Sequence, residues 1–318
     1  MLDVRRLVLL RDLARLGTIA SVAQAHAYTP SAVSQQLAAL QREAGIRLLE
    51  RSGRRVSLTA TATALVRHTE VILAALEAAD ATLAAARTGL RGSVRIGAFP
   101  SAVRTLLPAA LVTLARDHPA LDLMITELDP VDMPAALRSR QLDVALLHDY
   151  DIAPVPPDPA LDSIALLEET VHLAVPAGVL SDDDADLGAV GGADLGAVND
   201  PVGGARDAQW IVGSPGTLCH SVALHVCQMA GFAPAVRHHV DDFTAMLALV
   251  AAGEGVALVP QLAVTQPSPQ VRLLPLTLRR RTRIAYRRGA GDHPAVLACV
   301  WALRRATTAL PSGVPIDS

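Results

Sequence analysis

The sequence contains no lysine, very few aromatic residues and only three cysteines. All 28 basic residues are arginine, and aromatic residues occupy 3% of the 318 positions. The hydrophobic 51% therefore consists mainly of Leu, Val and Ala, which is enough for a sizeable core and excludes wholesale disorder. Three scattered cysteines exclude a disulfide framework and a structural zinc cage. A chain of this length is expected to form about two domains.

Signals for membrane insertion, export and common catalytic chemistry are missing from the sequence too. No stretch reaches the ~20 uncharged apolar residues of a membrane span, and charged residues between Asp3 and Asp12 interrupt any signal-peptide core. We therefore expect a cytoplasmic protein. No Gly-rich phosphate loop, Gly-x-Ser-x-Gly elbow or pair of metal-ligating histidines occurs, so we expect no enzyme activity, no cofactor and no bound metal.

The charge is divided unevenly along the chain. The net charge is −3, yet residues 1–68 carry ten arginines and four acidic residues, a balance of +6. Residues 69–318 carry 18 arginines and 27 acidic residues, a balance of −9. A basic head on an acidic body indicates that the head binds a polyanion.

The basic head has the pattern of a helix-turn-helix followed by a hairpin. Leucine periodicity and capping residues predict helices at residues 7–16, 19–26 and 30–44. Gly17 and Gly45 follow the first and third helices, Thr18 and Thr29 precede the second and third, and Pro30 suits a first helical position. Residues 48–58 predict a two-stranded wing with a Ser-Gly turn and three arginines near its tip.

The third predicted helix separates into an apolar and a polar face. Val33, Leu37 and Leu40 recur at i, i+4 and i+7 and are expected to face a core. The opposite side is small and polar, which lets the helix approach a groove and bond base edges. Arginines in the wing suit backbone phosphates or a narrow minor groove. The predicted DNA-binding residues are Thr29, Ser31, Ser34, Gln35, Arg42, Arg51, Arg54 and Arg55.

The head carries one ordered set of residues, which is Gly17-Thr18, Ala23, Thr29 to Leu37, Leu40, Gly45, Leu48, Glu50-Arg51, Arg54 and Leu58-Thr59. Through these positions, residues 1–90 resemble the N-terminal domain of LysR-type transcriptional regulators, and the match is specific because so many positions agree in order. It departs from the usual family residues at His26, Gln41, Leu49 and Ala62. Without the resemblance, a three-helix domain whose polar face is merely solvated stays open as an alternative.

A long helix is predicted from Thr59 to about Thr88, a segment that lacks Gly and Pro. Apolar and small residues repeat there with three-four spacing, which is typical of a coiled-coil seam and favours self-association over packing on the chain's own body. The resemblance implies the same, because linker helices of this family pair to form a dimer, which places two heads on one DNA site. The predicted seam is Leu65, Thr69, Ile72, Leu76, Ala79, Leu83 and Ala86.

From Ser93 onward, strand and helix patterns alternate, which predicts parallel sheet covered by helices on both faces. The segments 95–97, 142–145 and 251–260 resemble the family's effector-binding region, which implies two α/β lobes like those of a periplasmic solute-binding protein. The hexapeptide Ala-Asp-Leu-Gly-Ala-Val occurs twice within 182–207 and predicts a surface loop. The expected domains are 1–58, 59–91 and 92–318, with lobe I at 92–168 and 268–318 and lobe II at 169–267.

Ligands of such sheets bind beyond the carboxyl ends of the strands, beside helix N-termini. Two loops with hydroxyl side chains meet that description, so we expect a small carboxylate or other polar anion to bind between the lobes. For the hydroxyls, simple helix capping is an equally good interpretation, and for His148 a solvated loop position is favoured over a ligand contact. The predicted effector-binding residues are Ser101, His148, Ser214 and Thr217.

Two other functions compete with this prediction. Peroxide-sensing members of the family carry a reactive cysteine pair in the second lobe, and Cys219 and Cys227 lie in that region. Eight residues on an intact helix separate the two by ~12 Å, whereas a disulfide requires Cα atoms within ~7 Å. The sequence also lacks the motifs expected of an enzyme and the export signal expected of a transport receptor. We therefore predict a homo-oligomeric LysR-type regulator whose partners are double-stranded DNA, a small-molecule effector and RNA polymerase.

Overall fold

The computed structural model describes residues 1–52, 55–87, 89–179, 200–264, 268–308 and 310. The chain divides into two units. The first comprises Met1–Ala86 and Arg287–His293, and the second comprises Arg87–Tyr286 and Pro294–Ser318. Most of the predicted duplicated loop, residues 180–199, lies outside the described residues.

The first unit contains the helices and the hairpin that the sequence predicts. Asp3, Thr18, Thr29 and Thr59 each cap a helix, because their side chains accept a hydrogen bond from a backbone N–H of the first turn. Gly17 and the glycine after the third helix adopt left-handed conformations that end their helices. The elements are α1 (Val4–Leu16), α2 (Ile19–Ala25), α3 (Pro30–Ala44), β1 (Leu49–Ser52), β2 (Arg55–Leu58) and α4 (Ala60–Ala85).

Helix α4 presents two different surfaces along its length. Leu65 packs against the core of the head, and Thr69 is fully buried with its hydroxyl donating to the Leu65 carbonyl at 2.9 Å. The predicted seam is therefore wrong at these two positions, which α1 and the head cover instead. The exposed apolar side chains of α4 begin further along, at Val71, Ile72, Leu76 and Leu83.

Residues 287–293 contact the middle of α4. The Arg287 Nε lies 3.0 Å from Oε1 of the buried Glu77. Gly289 has φ +87°, and a Cβ added there would lie 2.1 Å from the Ala74 carbonyl oxygen. The close approach requires glycine, both for the backbone conformation and for the space.

The second unit is built on a six-stranded sheet in the order β4-β3-β5-β10-β6-β9, with β7 and β8 paired beside it. A parallel bridge from Trp210 to Val256 links β7 to the segment before β9. The elements are β3 (Gly92–Ala98), α5 (Pro100–Thr105), α6 (Leu107–Asp117), β4 (Leu121–Glu127), α7 (Met133–Arg138), β5 (Val144–Tyr150), β6 (Leu161–Pro176), α8 (Pro201–Gly204), β7 (Gln209–Val212), α9 (Leu218–Met229), β8 (Ala235–His239), α10 (Phe243–Ala251), β9 (Ala257–Pro260), β10 (Val271–Arg287) and α11 (Pro294–Thr307).

The sheet differs from the prediction in two respects. Strands β3, β4 and β5 are parallel, but β5 pairs antiparallel with β10 and β6 pairs antiparallel with β9. The expected strands at 271–276 and 282–286 are one continuous strand of 17 residues, and β6, of 16 residues, was not predicted. Strand β10 carries six arginines, which hide the period-2 pattern of a half-buried strand. The two long strands connect the half containing α5 and β5, here called the first lobe, with the half containing α9 and α10, the second lobe.

Within the described ranges, each helix is too short or too polar to cross a lipid bilayer.

Candidate functional site

Helix α3 exposes the face that the sequence predicts for DNA. Val33, Leu37 and Leu40 are at most 1% exposed, because they pack into the core of the head. On the other side, the four predicted contact residues are exposed. They are Ser31, Ser34, Gln35 and Arg42. A face of hydroxyl, amide and guanidinium groups can donate to and accept from base edges and phosphates.

Local contacts fix where this face begins. The Thr29 hydroxyl accepts from the Ala32 N–H at 3.2 Å and lies 3.1 Å from the Ser31 hydroxyl. The turn between α2 and α3 is closed by the Tyr28 N–H, which donates to the Ala23 carbonyl at 2.8 Å. Ala27 adopts φ +52° in this turn. The cap thus fixes where α3 begins and leaves Ser31 exposed in its first turn.

The wing is joined to α3 through a side-chain amide. The Gln41 Oε1 accepts from the N–H groups of Leu48 and Leu49, at 2.9 and 3.2 Å. Ser52 pairs with Arg55 in the hairpin, so Ser52 belongs to the strand and not to the predicted turn.

Two of the predicted wing arginines are placed by this register. Arg51 lies in β1 opposite Val56, and Arg55 begins β2. Gly53, the second residue of the predicted turn, and Arg54 lie outside the described residues.

A second candidate site, here called the buried polar cluster, comprises Ser101, His148, Glu169, Arg280 and Thr282. Arg280 is 0% exposed, and its Nε and Nη2 lie 2.8 and 2.7 Å from Oε1 of Glu169. Its Nη2 also donates to the Ser101 hydroxyl at 3.1 Å. A charged pair this deep requires nearly complete pairing and hydrogen bonding to offset its desolvation.

Four polar atoms of the cluster have no hydrogen-bond partner among the described residues. They are the Arg280 Nη1, both ring nitrogens of His148 and the Thr282 hydroxyl. Thr282 pairs with His148 across β10 and β5, and Arg280 pairs with Tyr150, so the four side chains share one face of the sheet. Buried polar groups without partners are costly, so their convergence at one place indicates a site that takes a ligand or ordered water.

Aromatic rings enclose the cluster. Phe99 lies 4.6 Å from the His148 ring and 4.9 Å from the Arg280 guanidinium carbon, measured from its ring centroid. Burial lowers the pKa of His148 well below 6.5, and the positive charge of Arg280 lowers it further, so the ring is neutral near pH 7. Burial likewise raises the pKa of Tyr150 well above 10, so its hydroxyl stays protonated.

The structure corrects two local predictions in the first lobe. The N-cap of α5 is Phe99, without a side-chain hydrogen bond, so Ser101 does not cap a helix and instead accepts from Arg280. His148 lies within β5 and is 4% exposed, not in a solvated loop after the strand. Both residues therefore join the cluster.

The hydroxyls predicted in the second lobe have local partners. Thr217 is the N-cap of α9, and its hydroxyl accepts from the His220 N–H at 3.2 Å. The Ser214 N–H and hydroxyl both donate to the Asp241 carboxylate, at 2.7 and 2.6 Å. An ion pair between Arg104 of α5 and Asp242, the N-cap of α10, joins the two lobes near this point.

The cysteine pair lies on one intact helix. Cys219 and Cys227 occupy the first and third turns of α9, eight residues apart, which corresponds to ~12 Å of rise. Burial raises the pKa of both thiols, that of Cys227 to about 12. The Cys219 Sγ lies 3.7 Å from the Tyr150 hydroxyl. Protonated thiols at this separation are poorly suited to forming a disulfide with each other.

Sequence reasoning missed Glu169, Arg280 and Thr282. They lie in the long strands β6 and β10, of which the sequence predicted only parts of β10. The one usable signal was the spacing in β10, where Arg280, Thr282 and Ile284 alternate with exposed or half-buried arginines and prove to be fully buried.

Family models match both the head and the following α/β part of the chain. The model described as bacterial regulatory helix-turn-helix protein, lysR family, matches residues 4–63, and that of the LysR substrate binding domain matches residues 87–308. The transcriptional dual regulator GltC of Bacillus subtilis is 28% identical over 76% of this chain and 74% of its own. A probable hydrogen peroxide-inducible genes activator of Mycobacterium avium is 32% identical over 76% of this chain and 73% of its own.

A solved structure is similar over nearly the whole chain. An OxyR mutant of Corynebacterium glutamicum superposes with a TM-score of 0.54 at 22% identity, covering 97% of this chain and 92% of that one. At that level of identity the likeness shows the fold alone.

Proposed function

Because the chain belongs to the LysR family of bacterial transcriptional regulators, which bind DNA and carry an effector-binding domain, we propose how this member performs the two tasks. Residues 1–58 read a specific DNA sequence, residues 59–91 link and pair the subunits, and residues 92–318 bind a small molecule between two lobes. Lobe I consists of residues 92–168 and 268–318, and lobe II of residues 169–267. The protein works in the cytoplasm, on the chromosome.

Sequence-specific reading is assigned to α3. Ser31, Ser34 and Gln35 contact base edges in the major groove, because they are exposed in the first half of the helix, opposite its buried leucines. Thr29 and Arg42 hold backbone phosphates at either end of the helix. The wing arginines Arg51, Arg54 and Arg55 complete the contacts with phosphates or the minor groove.

Effector binding is assigned to the interlobe region. The observation that carries this assignment is the set of unpartnered buried atoms on Arg280, His148 and Thr282. Ser101 completes that side of the site, and we assign Ser214 and Thr217 to the contacts of the ligand with the second lobe. A ligand there satisfies the unpartnered atoms and favours one arrangement of the lobes, which changes the spacing of the paired heads and the recruitment of RNA polymerase.

Self-association is assigned to the exposed apolar residues of α4. Val71, Ile72, Leu76 and Leu83 follow one another at spacings of one, four and seven residues, and they are from 37% to 68% exposed. A second copy of the same helix provides complementary apolar side chains, and pairing two heads fits a pseudo-palindromic DNA site.

Thiol-based sensing is the alternative, since one relative described above is named a hydrogen peroxide-inducible genes activator. The protonated, well-separated thiols of Cys219 and Cys227 speak against it. Replacing both cysteines with serine should leave the DNA affinity unchanged, both with and without peroxide. A peroxide response that disappears in this variant would favour the alternative.

Fluorescence anisotropy tests the proposed function. Labelled DNA from immediately upstream of the gene is compared with scrambled DNA at two salt concentrations. We expect tighter binding to the native DNA and weakening with salt, because phosphate contacts release counterions. Equal affinity for both DNAs would contradict reading of that sequence, and no binding to either would contradict the DNA-binding assignment.

A further inference from the structure

The buried polar cluster also constrains the chemistry of the molecule that occupies it. We infer that this ligand is a small uncharged molecule carrying both a hydrogen-bond donor and an acceptor, of the kind that a primary amide provides, and is not a carboxylate. The inference rests on the proposed effector site and departs from the anionic ligand expected from the sequence alone.

The unpartnered atoms of the cluster include both hydrogen-bond donors and acceptors. The Arg280 Nη1 can only donate, the neutral His148 ring offers one donor and one acceptor, and the Thr282 hydroxyl offers both. All three side chains are at least nine-tenths buried and share one face of β5 and β10. Because both donors and acceptors of the cluster lack partners, a ligand that both donates and accepts hydrogen bonds satisfies the site. A carboxylate only accepts them.

The positive charge of the cluster is already balanced. Glu169 already neutralises Arg280 through two contacts with the guanidinium. A bound carboxylate would therefore add an uncompensated buried charge, which is far more costly than a neutral hydrogen-bonding group.

The charged side chains that the structure describes next to the cluster do not favour a bound anion. Arg104, at the lobe junction, is paired with Asp242. Burial raises the pKa of Cys219, which contacts Tyr150, and the nearby carboxylates of Asp129 and Asp241 raise it further. Their negative potential disfavours an anion further.

Matched pairs of ligands that differ mainly in charge provide the test. Formamide and acetamide are compared with formate and acetate on the full-length protein at constant ionic strength, by ligand-observed NMR. We expect both amides to bind at least about tenfold more tightly than their carboxylates. Thr282→Val, which keeps the shape but removes one hydroxyl, should weaken amide binding about tenfold. Thr307→Val, at another buried threonine, is the control and should leave amide binding unchanged.

Three results would overturn the inference. One is that the carboxylates bind as tightly as the amides. Another is that amide binding survives Thr282→Val, which would place the ligand elsewhere. The third is that none of the four probes binds, in which case the cluster holds only water.

The anisotropy assay separates this failure from failure of the proposed function. Specific DNA binding without any amide binding would support the proposed function and contradict the inference. Amide binding in the cluster that leaves DNA binding unchanged would support the inference and count against the coupling of this site to DNA.

Discussion

Replacing Glu169 with glutamine tests whether the ion pair at the centre of the effector domain is as buried as the structure shows. Glu169 is 3% exposed and Arg280 is 0% exposed, so Glu169→Gln leaves a guanidinium in a dry environment without its counter-charge. Breaking a buried pair in this way costs about 3–5 kcal/mol of unfolding free energy. The glutamine retains a carbonyl oxygen for the Leu262 N–H, which donates to Glu169 in the native protein.

The neighbouring residue provides a matched control. Glu168 pairs with Arg281 at 3.1 Å, but these side chains are 34% and 46% exposed. Solvent screens such a pair, so Glu168→Gln should cost no more than about 1 kcal/mol. Removing both members of the buried pair, as in Glu169→Gln with Arg280→Met, should restore much of the loss, because no isolated charge remains.

Urea unfolding followed by tryptophan fluorescence measures these differences. Trp210 is fully buried, with its Nε1 donating to the Ala205 carbonyl at 3.1 Å, so its emission reports unfolding of the second lobe. The variants are compared at their unfolding midpoints. Equal midpoints for Glu169→Gln and Glu168→Gln would refute the reasoning, since the two changes differ only in the burial of the pair.

Three further predictions concern the DNA face, a buried histidine and the contact on α4. Gln35→Ala should reduce the preference for specific over scrambled DNA by about 1–3 kcal/mol, as measured by anisotropy. Arg42→Ala should weaken the binding of both DNAs alike and lower the salt dependence of binding. Equal effects on both DNAs for the two variants would contradict the assignment. Because the pKa of His148 is depressed, stability should fall as the pH drops below 6.5, by up to ~1.4 kcal/mol per unit. His148→Leu should remove that component from the unfolding curves, and unchanged curves would exclude a neutral buried ring. Gly289→Ala should cost at least about 1–2 kcal/mol, from its left-handed backbone and its approach to Ala74, and unaltered amide exchange in residues 287–293 would contradict this.

The parts of the fold set by local chemistry could be predicted closely. With the capping threonines and the glycines that follow α1 and α3, the predicted helices of the head agree with the structure to within three residues at each end. Val33 and Leu37 were placed in the core because their spacing depends on helical geometry alone.

The parts set by tertiary pairing could not. Arg280 and Thr282 are buried because β10 pairs with β5 at one register, and no local pattern specifies that partner. His148 was misplaced for the same reason, since the strand extends to residue 150 through pairing with β10. Leu65 and Thr69 carry a seam-like spacing, yet they lie where α4 packs on the head, and spacing alone does not tell which neighbour covers a face.

Selection from a pool of random duplex DNA tests the central claim most directly, because it presupposes no operator. If paired heads read sequence through α3, repeated rounds of binding by the full-length protein should enrich a pseudo-palindrome. Its half-sites should be separated by one helical turn, about 10 base pairs, or a multiple of that spacing. Gln35→Ala should broaden the enriched sequence at particular positions without abolishing binding. A pool that stays random although it binds in a salt-dependent manner would contradict the claim, since the head would then contact phosphates alone.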